Sequence, residues 1–379
     1  MKRTSARHEL EIEGLWLPIL MMAAGGAMVI SGCSSSPNSQ PMTNLDAASG
    51  VDAATTLDAL PSADAGSPID VPATVDTAAS VDATPAVTQT LFYLDVGGKV
   101  MSTDVAKPSA HTLVASAGQG PDGIAVDPVA GYIYWTTMGV PADDDGTVMR
   151  AKLDGSQVTT LIKKGDTYTP KQMKLDVATS KMYWSDREGM RVMRANLDGT
   201  QLETLVTVAT GNQARADSSN WCVGIALDLA GGWFYWTQKG PDNGHVGSIR
   251  RAHVALPAGQ TSENRTDIDV LWSGLPEPID LDIDVDASLI YWTDRGDDTV
   301  NRGPIAIPAG ATAGNRTDRQ ILVKNVKEAI GVVLDRPRGV LYYTSATGQL
   351  GRAGLDGSGN KELLSNAGAF TGIVVVDGL

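Results

Sequence analysis

Apolar and polar positions repeat along most of the chain with a period of roughly fifty residues, a spacing typical of arrays of small β-rich units. Each repeat carries a pair of aromatic residues, found at Phe92-Tyr93, Tyr134-Trp135, Tyr183-Trp184, Tyr235-Trp236, Tyr291-Trp292 and Tyr342-Tyr343. An apolar run that ends in aspartate precedes five of these pairs at one fixed offset, at Asp127, Asp176, Asp228, Asp284 and Asp335. Because one such unit cannot bury its own faces, the pattern predicts a propeller or a solenoid.

Four short strands are predicted within one repeat, and in the third repeat they cover 173–176, 181–186, 191–197 and 202–206. The last two are joined by Asp198-Gly199, a pair that adopts positive φ easily and therefore favours a tight hairpin. The fourth and fifth repeats instead carry longer segments, 255–267 and 306–318, which resemble each other as a duplicated loop would. Each contains Asn-Arg-Thr, which is a glycosylation signal in secreted eukaryotic chains. Residues 1–33 resemble a bacterial export signal, so we interpret the triplets as coincidence.

The two ends of the array complete one repeat between them. The pair Phe92-Tyr93 has no apolar run before it, and the run 372–377 has no aromatic pair after it. If these fragments pair, six units close into a ring and the terminal strands leave no unpaired edge. We therefore predict an all-β, six-bladed β-propeller closed by pairing of the C-terminal strand with the N-terminal blade.

The aromatic pairs are predicted to pack between blades. Neighbouring side chains of a strand point to opposite faces, so Tyr183 and Trp184 contact different surroundings. Both faces of a propeller blade are covered by adjacent blades. Large aromatic side chains can therefore be buried on either face of the strand. A sugar-stacking or cofactor-binding role for these rings is the alternative interpretation.

The third repeat also carries Tyr183-Trp184-Ser185-Asp186, Arg194-Ala195 and Leu197-Asp198-Gly199. This pattern resembles the YWTD repeats, or class B repeats, of the low-density-lipoprotein receptor family. The resemblance covers about residues 90–379 and implies a six-bladed β-propeller. The chain departs from the motif at Leu94, Gln238 and Ser345, and it lacks the cysteine-rich modules that flank such propellers in receptors. An endocytic receptor role is therefore not implied.

Residues 1–33 predict export to the bacterial cell envelope. A basic start and a short apolar stretch lead to Ile30-Ser31-Gly32-Cys33, which resembles the bacterial lipobox. That resemblance implies diacylglycerol and a fatty acid on Cys33, two chains that make a stable membrane anchor. Ser34 after the cysteine implies the outer membrane, with the propeller facing the periplasm or the cell surface. The alternative, a transmembrane helix, is disfavoured by Pro18 and Gly25-Gly26.

Residues 34–89 are rich in Ala, Ser, Thr, Pro and Asp, with aspartate at every sixth position from Asp46 to Asp82. The spacing also fits a left-handed β-helix, but the sparse apolar content favours a disordered tether. We thus assign 1–33 to a signal peptide, 34–89 to a tether and 90–379 to the propeller.

Charge and cysteine content limit which binding partners and disulfides are expected. The formal net charge of −14 disfavours nucleic acid. The second cysteine, Cys222, precedes an apolar strand and is expected to be a small buried side chain without a disulfide partner if Cys33 is acylated.

Two sets of candidate binding residues follow from the predicted topology. The loops after the second strand and before the first strand of each blade share one face, and there we single out Arg187, Trp221, Asp294 and Arg295. Mixed charge with aromatic residues suits a protein or peptide ligand. Solvated loop tips are the simpler interpretation of each residue.

The second set lies on the strands nearest the axis, where most repeats place small or aliphatic residues. The polar exceptions are Gln172, Lys174, Asp280 and Asp282. We expect these side chains to pair through water as part of the structure; holding a cation or a small molecule in the channel is the alternative.

The sequence carries no nucleophile motif, no paired histidines for a metal and no phosphate-binding loop. We predict a lipid-anchored propeller outside the cytoplasm that binds a protein or another macromolecule, without a catalytic residue, metal or cofactor. The alternative is a lactonase-like, metal-dependent hydrolase or lyase acting on a sugar-derived molecule in the channel.

Overall fold

A computed structural model describes residues 87–379 as six four-stranded antiparallel sheets. The blades, each given from its innermost strand outward, have these bounds. Blade 1 contains β24 (Phe370–Asp377), β1 (Gln89–Asp95), β2 (Lys99–Asp104) and β3 (Thr112–Ser116). Blade 2 contains β4 (Pro121–Asp127), β5 (Tyr132–Thr137), β6 (Thr147–Lys152) and β7 (Thr159–Ile162). Blade 3 contains β8 (Pro170–Asp176), β9 (Lys181–Asp186), β10 (Arg191–Asn196) and β11 (Glu203–Thr207).

The remaining blades follow the same order. Blade 4 contains β12 (Cys222–Asp228), β13 (Trp233–Gln238), β14 (Gly247–His253) and β15 (Asp269–Leu275). Blade 5 contains β16 (Pro278–Asp284), β17 (Leu289–Asp294), β18 (Thr299–Pro304) and β19 (Gln320–Lys324). Blade 6 contains β20 (Ala329–Asp335), β21 (Val340–Ser345), β22 (Leu350–Gly354) and β23 (Lys361–Leu364). One short helix, α1 (Asn212–Arg215), precedes blade 4. The predicted all-β, six-bladed propeller is confirmed.

The innermost strands contact each other in a closed cycle, β4 to β8 and onward through β24 back to β4. Each innermost strand begins with a bulge; in blade 3 the register shifts between Pro170 and Met173. The bulge explains why the alternation predicts this strand only from residue 173, three residues after its start.

Aromatic residues hold neighbouring blades together, as the alternation predicts. The first aromatic of each blade shares a hydrophobic cluster with the second aromatic of the next. The six couples are Phe92 with Trp135, Tyr134 with Trp184, Tyr183 with Trp236, Tyr235 with Trp292, Tyr291 with Tyr343, and Tyr342 with Tyr93. Since all twelve rings are buried, each blade junction is a hydrophobic core of its own.

A hydroxyl bridge repeats beside these clusters. In blade 2, Thr136 Oγ1 accepts a hydrogen bond from Gly123 N at 2.8 Å and donates to Lys171 O of blade 3 at 2.7 Å. Ser185, Thr237, Thr293 and Thr344 make the same donation to the next blade. Blade 1 has Leu94 instead, and there Thr371 Oγ1 donates to Pro121 O of blade 2 at 2.9 Å. A hydroxyl from another strand thus replaces the missing one.

The C-terminal strand β24 pairs antiparallel with β1, and Phe92 lies opposite Val374. The register differs in one respect from the repeat pattern. Asp127 of blade 2 lies opposite Tyr132, whereas the corresponding position of blade 1 is held by Val376, opposite Thr90. Asp377 lies one residue farther along, where it accepts a hydrogen bond from Gln89 Nε2 at 3.0 Å.

The duplicated loops have one structural role. Arg265 donates to Leu205 O of blade 3 at 2.7 Å, and Arg316 donates to Leu271 O of blade 4 at 3.0 Å. Both arginine side chains are buried, and each adjacent asparagine accepts a backbone hydrogen bond within its loop. The repeated Asn-Arg-Thr therefore fixes each loop to the preceding blade.

The predicted signal peptide, Cys33 and almost all of the tether lie outside the described residues. Among residues 87–379, no helix has the length and apolar character needed to cross a membrane. Cys222 is buried and has no disulfide partner within residues 87–379, and burial raises the pKa of its thiol far above its usual range.

Candidate functional site

The polar face, defined as the loops after the second strand and before the first strand of each blade, carries a chain of charged contacts. Its centre is Glu277, a buried carboxylate that accepts hydrogen bonds from Lys239 Nζ and from Arg295 at 2.5 Å. Arg295 also donates to Asp242 at 2.8 Å and lies 3.6 Å from Glu328. One arginine of blade 5 therefore contacts carboxylates from loops of blades 4, 5 and 6.

Trp221 continues this chain toward blade 3. The Arg187 guanidinium lies 4.9 Å from the centre of its indole and the Lys239 amine lies 5.6 Å away. The indole N–H donates to Arg215 O at 2.8 Å. These two cation–π contacts and the hydrogen bond hold the ring in place and join the loops of two blades.

Burial limits what Arg187 can contact. Its side chain is 5% exposed and forms an ion pair with Glu188 at 2.5 Å. The interpretation as a solvated loop tip is therefore wrong for Arg187, because both its charge and its stacking surface are already used inside the protein.

Asp294 lies beneath the network. It is fully buried, and its Oδ1 accepts hydrogen bonds from Glu277 N at 2.8 Å and Gly296 N at 3.2 Å. Burial, aided by the charge of Asp297, raises its pKa to about 7. Its other oxygen, Oδ2, has no hydrogen-bond partner in the described part of the chain. Asp294 thus positions the Glu277 loop and has no surface available for direct contact with a partner.

The corresponding aspartate of blade 3 has a different environment. Asp186 accepts backbone hydrogen bonds from Tyr168 and Thr169 and pairs with Arg191 at 2.8 Å. Arg191 lies opposite Asp186, whereas Thr299 lies opposite Asp294. Blade 5 therefore has the carboxylate at this position but no arginine opposite it.

In the channel, the structure brings Lys174 and Asp282 together. The two groups are 3.6 Å apart, and because blade 4 separates their blades, the lysine side chain reaches across the channel. Burial lowers the pKa of Lys174, but the charges of Asp282 and Asp280 outweigh it and leave that pKa raised. Asp280 is bound by Leu281 N at 2.9 Å and Val332 N at 3.0 Å, and burial raises its pKa to about 7.

Gln172 belongs to a second polar group, at the junction of blades 2 and 3. Its amide donates to Asp122 Oδ1 at 3.0 Å, and Asp122 also pairs with the buried Lys171. Burial lowers the pKa of Lys171 to about 8. Sequence reasoning missed Asp122 and Lys171. The sequence did carry a signal for them. Both are the second residue of an innermost strand, a position at which blades 4, 5 and 6 have the apolar residues Val223, Ile279 and Ile330.

Among residues 87–379, no group of three or more His, Cys, Asp or Glu side chains is arranged to hold a metal ion. The polar side chains of the channel instead bond to each other and to backbone N–H groups.

No family model matches the sequence. A protein of Pyricularia oryzae named low-density lipoprotein receptor-related protein 1 is 40% identical over 291 residues, which cover 74% of this chain and 92% of that protein. The chain belongs to this family of low-density-lipoprotein-receptor-related YWTD proteins.

A second relative of this YWTD protein is the 3-hydroxyacyl-CoA dehydrogenase-like protein LAM1 of Cochliobolus heterostrophus. It is 37% identical over 265 residues, 67% of this chain and 56% of that protein. The chain therefore spans little more than half of the second relative.

Two solved structures share the fold of the YWTD protein. A chain of the nidogen/laminin complex has a TM-score of 0.58 and 23% identity, over 77% of this chain and 98% of that one. TolB from Acinetobacter baumannii has a TM-score of 0.53 and 13% identity, over 76% of this chain and 66% of that one. At these identities, the likeness extends to the propeller architecture alone.

Proposed function

We propose that this YWTD protein is a non-catalytic binding module whose polar face holds a protein or peptide partner. The observation that carries this proposal is the charged network around Arg295. Its interior members are buried, whereas the carboxylates of Asp242 and Glu328 remain 47% and 45% exposed. Ordered carboxylates at the rim of a stacked, ion-paired surface suit recognition of a basic or hydrogen-bond-donating segment.

The preorganisation of this surface supports binding. Arg295, Lys239 and Trp221 are held by partners within the protein, so little side-chain entropy remains to be lost when a ligand docks. The names of the relatives agree with this role, since one is a receptor-related protein and one structural neighbour comes from a complex of two proteins.

We further propose that Cys33, at the end of Ile30-Ser31-Gly32-Cys33, anchors the protein to the bacterial envelope. The expected modification is measured by incorporation of labelled palmitate into the parent protein and into Cys33→Ser. We expect label in the parent alone; label retained by Cys33→Ser would contradict the anchor.

Charge reversal at the rim tests the binding face. We expect Asp242→Lys and Glu328→Lys to lose an envelope partner that the parent captures in a pull-down, because the exposed carboxylates meet that partner directly. The matched control is Asp269→Lys, which alters a carboxylate that is 49% exposed on the outer strand of blade 4. The control should capture the same proteins as the parent. The proposal fails if Asp242→Lys and Glu328→Lys do so as well.

A further inference from the structure

A groove of about 850 Å³ lies between blades 3 and 4 on the side opposite the polar face. Blade 3 contributes Lys181, Tyr183 and Arg194, and blade 4 contributes Leu229, Val254 and Pro257. Turns between first and second strands and loops after third strands surround it. The groove is thus separate from the surface assigned to the proposed function.

Three other junctions fill the corresponding place with a side chain from the first residue of the second strand. In blade 2 this residue is Tyr132, which packs against the junction with blade 3. In blade 4 it is Trp233, which packs against the junction with blade 5, and in blade 5 it is Leu289. Blade 3 has Lys181 there, so its junction with blade 4 stays open at this level.

An arginine of the third strand stacks on the aromatic rings that fill this place. Arg150 lies 4.5 Å from the ring centre of Tyr132, and Arg251 lies 4.1 Å from that of Trp233. Arg194 holds the same register in blade 3, opposite Tyr183. Arg194 therefore lies beside the groove in the same way that Arg150 and Arg251 lie beside the rings of Tyr132 and Trp233.

The far wall of the groove is fixed. It is formed in part by the blade 4 loop 255–267, which Arg265 ties to Leu205 O at 2.7 Å and Ser262 ties to Thr207 at 2.9 Å. Leu229 at the mouth is 43% exposed. A preformed, largely apolar groove of this volume is the usual setting for a ligand.

The rim of the groove carries charges of both signs, and Lys181 is the cation there that forms no ion pair among residues 87–379. Asp267 pairs with Arg265, Asp176 accepts hydrogen bonds from Thr179, and Arg194 pairs with Glu203. Lys181 donates to the neutral Gln201 at 3.1 Å, and within residues 87–379 no carboxylate lies at ion-pair distance from its amine. An incoming carboxylate would therefore meet a cation that has no counter-ion.

We propose that this groove binds an aromatic side chain flanked by a carboxylate on a partner protein. The ring occupies the place that Tyr132 and Trp233 fill in their own junctions, beside Arg194. The neighbouring carboxylate pairs with Lys181. Aromatic rings bring large apolar area at low entropic cost, and a cation over the ring face adds further attraction.

The test uses the full protein and the capped peptide Gly-Asp-Trp-Asp-Gly, observed by saturation-transfer NMR. We expect this peptide to bind, its Trp-to-Ala form to bind at least about tenfold more weakly, and its Asp-to-Asn form to bind less tightly than the parent peptide. Equal binding of the first two peptides overturns the proposal.

A variant in which one of the protein's own side chains fills the groove provides a second test. Lys181→Trp copies the arrangement of blade 4 and should abolish peptide binding while the melting temperature stays equal or rises. Lys361→Trp adds the same ring at an exposed site on blade 6 and should bind as the parent does. Unchanged binding by a folded Lys181→Trp overturns the proposal. Asp242→Lys should keep peptide binding, which separates this site from the polar face.

Discussion

The blade junctions and the polar sites are built from the same strands, but they follow opposite rules. Each junction repeats one solution, in which an aromatic couple is buried and, at five of the six, a hydroxyl of the second strand bridges to the next blade. The channel and the polar face break the repeat, because Lys174 and Asp282 replace small residues and Arg295 gathers three carboxylates. The features that repeat in every blade therefore close the ring. The residues that depart from the repeat are those that can distinguish one ligand from another.

Removing one junction ring should have the largest effect. Trp184 is fully buried and its indole N–H donates to Thr167 at 3.1 Å. We expect Trp184→Ala to lower the free energy of unfolding by about 3–5 kcal/mol. Urea denaturation followed by circular dichroism measures the loss. An unchanged midpoint would show that the junctions do not hold the blades together.

Breaking the channel pair should cost less. In Asp282→Ala the amine of Lys174 loses its counter-ion, and because both side chains are 20–24% exposed we expect a loss of about 1–3 kcal/mol. Adding Lys174→Met should restore much of that stability, since the uncompensated charge disappears. A double-mutant cycle measures the coupling. If the two losses simply add, the pair has no role in closing the channel.

The smallest effect is expected at Asp294, where substitution should raise the stability of the protein instead of lowering it. Its pKa is about 7 in the folded protein against an ordinary value of 3.8. The folded state holds a proton that the unfolded chain releases, so stability from this group falls as pH rises from about 4 to about 7. Asp294→Asn keeps an oxygen for Glu277 N and removes the charge. We expect it to be more stable than the parent near pH 8, by roughly 1 kcal/mol.

Asp186→Asn is the control for that prediction, because Asp186 keeps its arginine. Thermal melts across the same pH range should show this variant destabilised near pH 8, since it loses the ion pair with Arg191. The Asp294→Asn and parent curves should converge toward pH 4. A loss of stability for both variants near pH 8 would remove the distinction drawn between blades 3 and 5.

The sequence predicts the blades because strand periodicity is local. Tyr183 and Trp184 must face opposite sides of one strand, and that rule alone places them in two junctions. The polar contacts are not local. Lys239 meets Glu277 across a blade boundary, and nothing in their spacing specifies which loop folds over which. For the same reason, the burial of Arg187 and Asp294 appears only once neighbouring loops are in place.

Pairing of β24 with β1 joins Tyr93 to Ile373, residues that are separated by almost the whole folded sequence. Loop-closure entropy for such a contact can be offset only when the intervening blades already shorten the distance between the strands. We therefore expect ring closure to be a late step of folding. Until then blade 1 has only β1, β2 and β3, and β24 completes it. A synthetic peptide spanning 370–379 that arrived first would compete for the same edge and trap the propeller open.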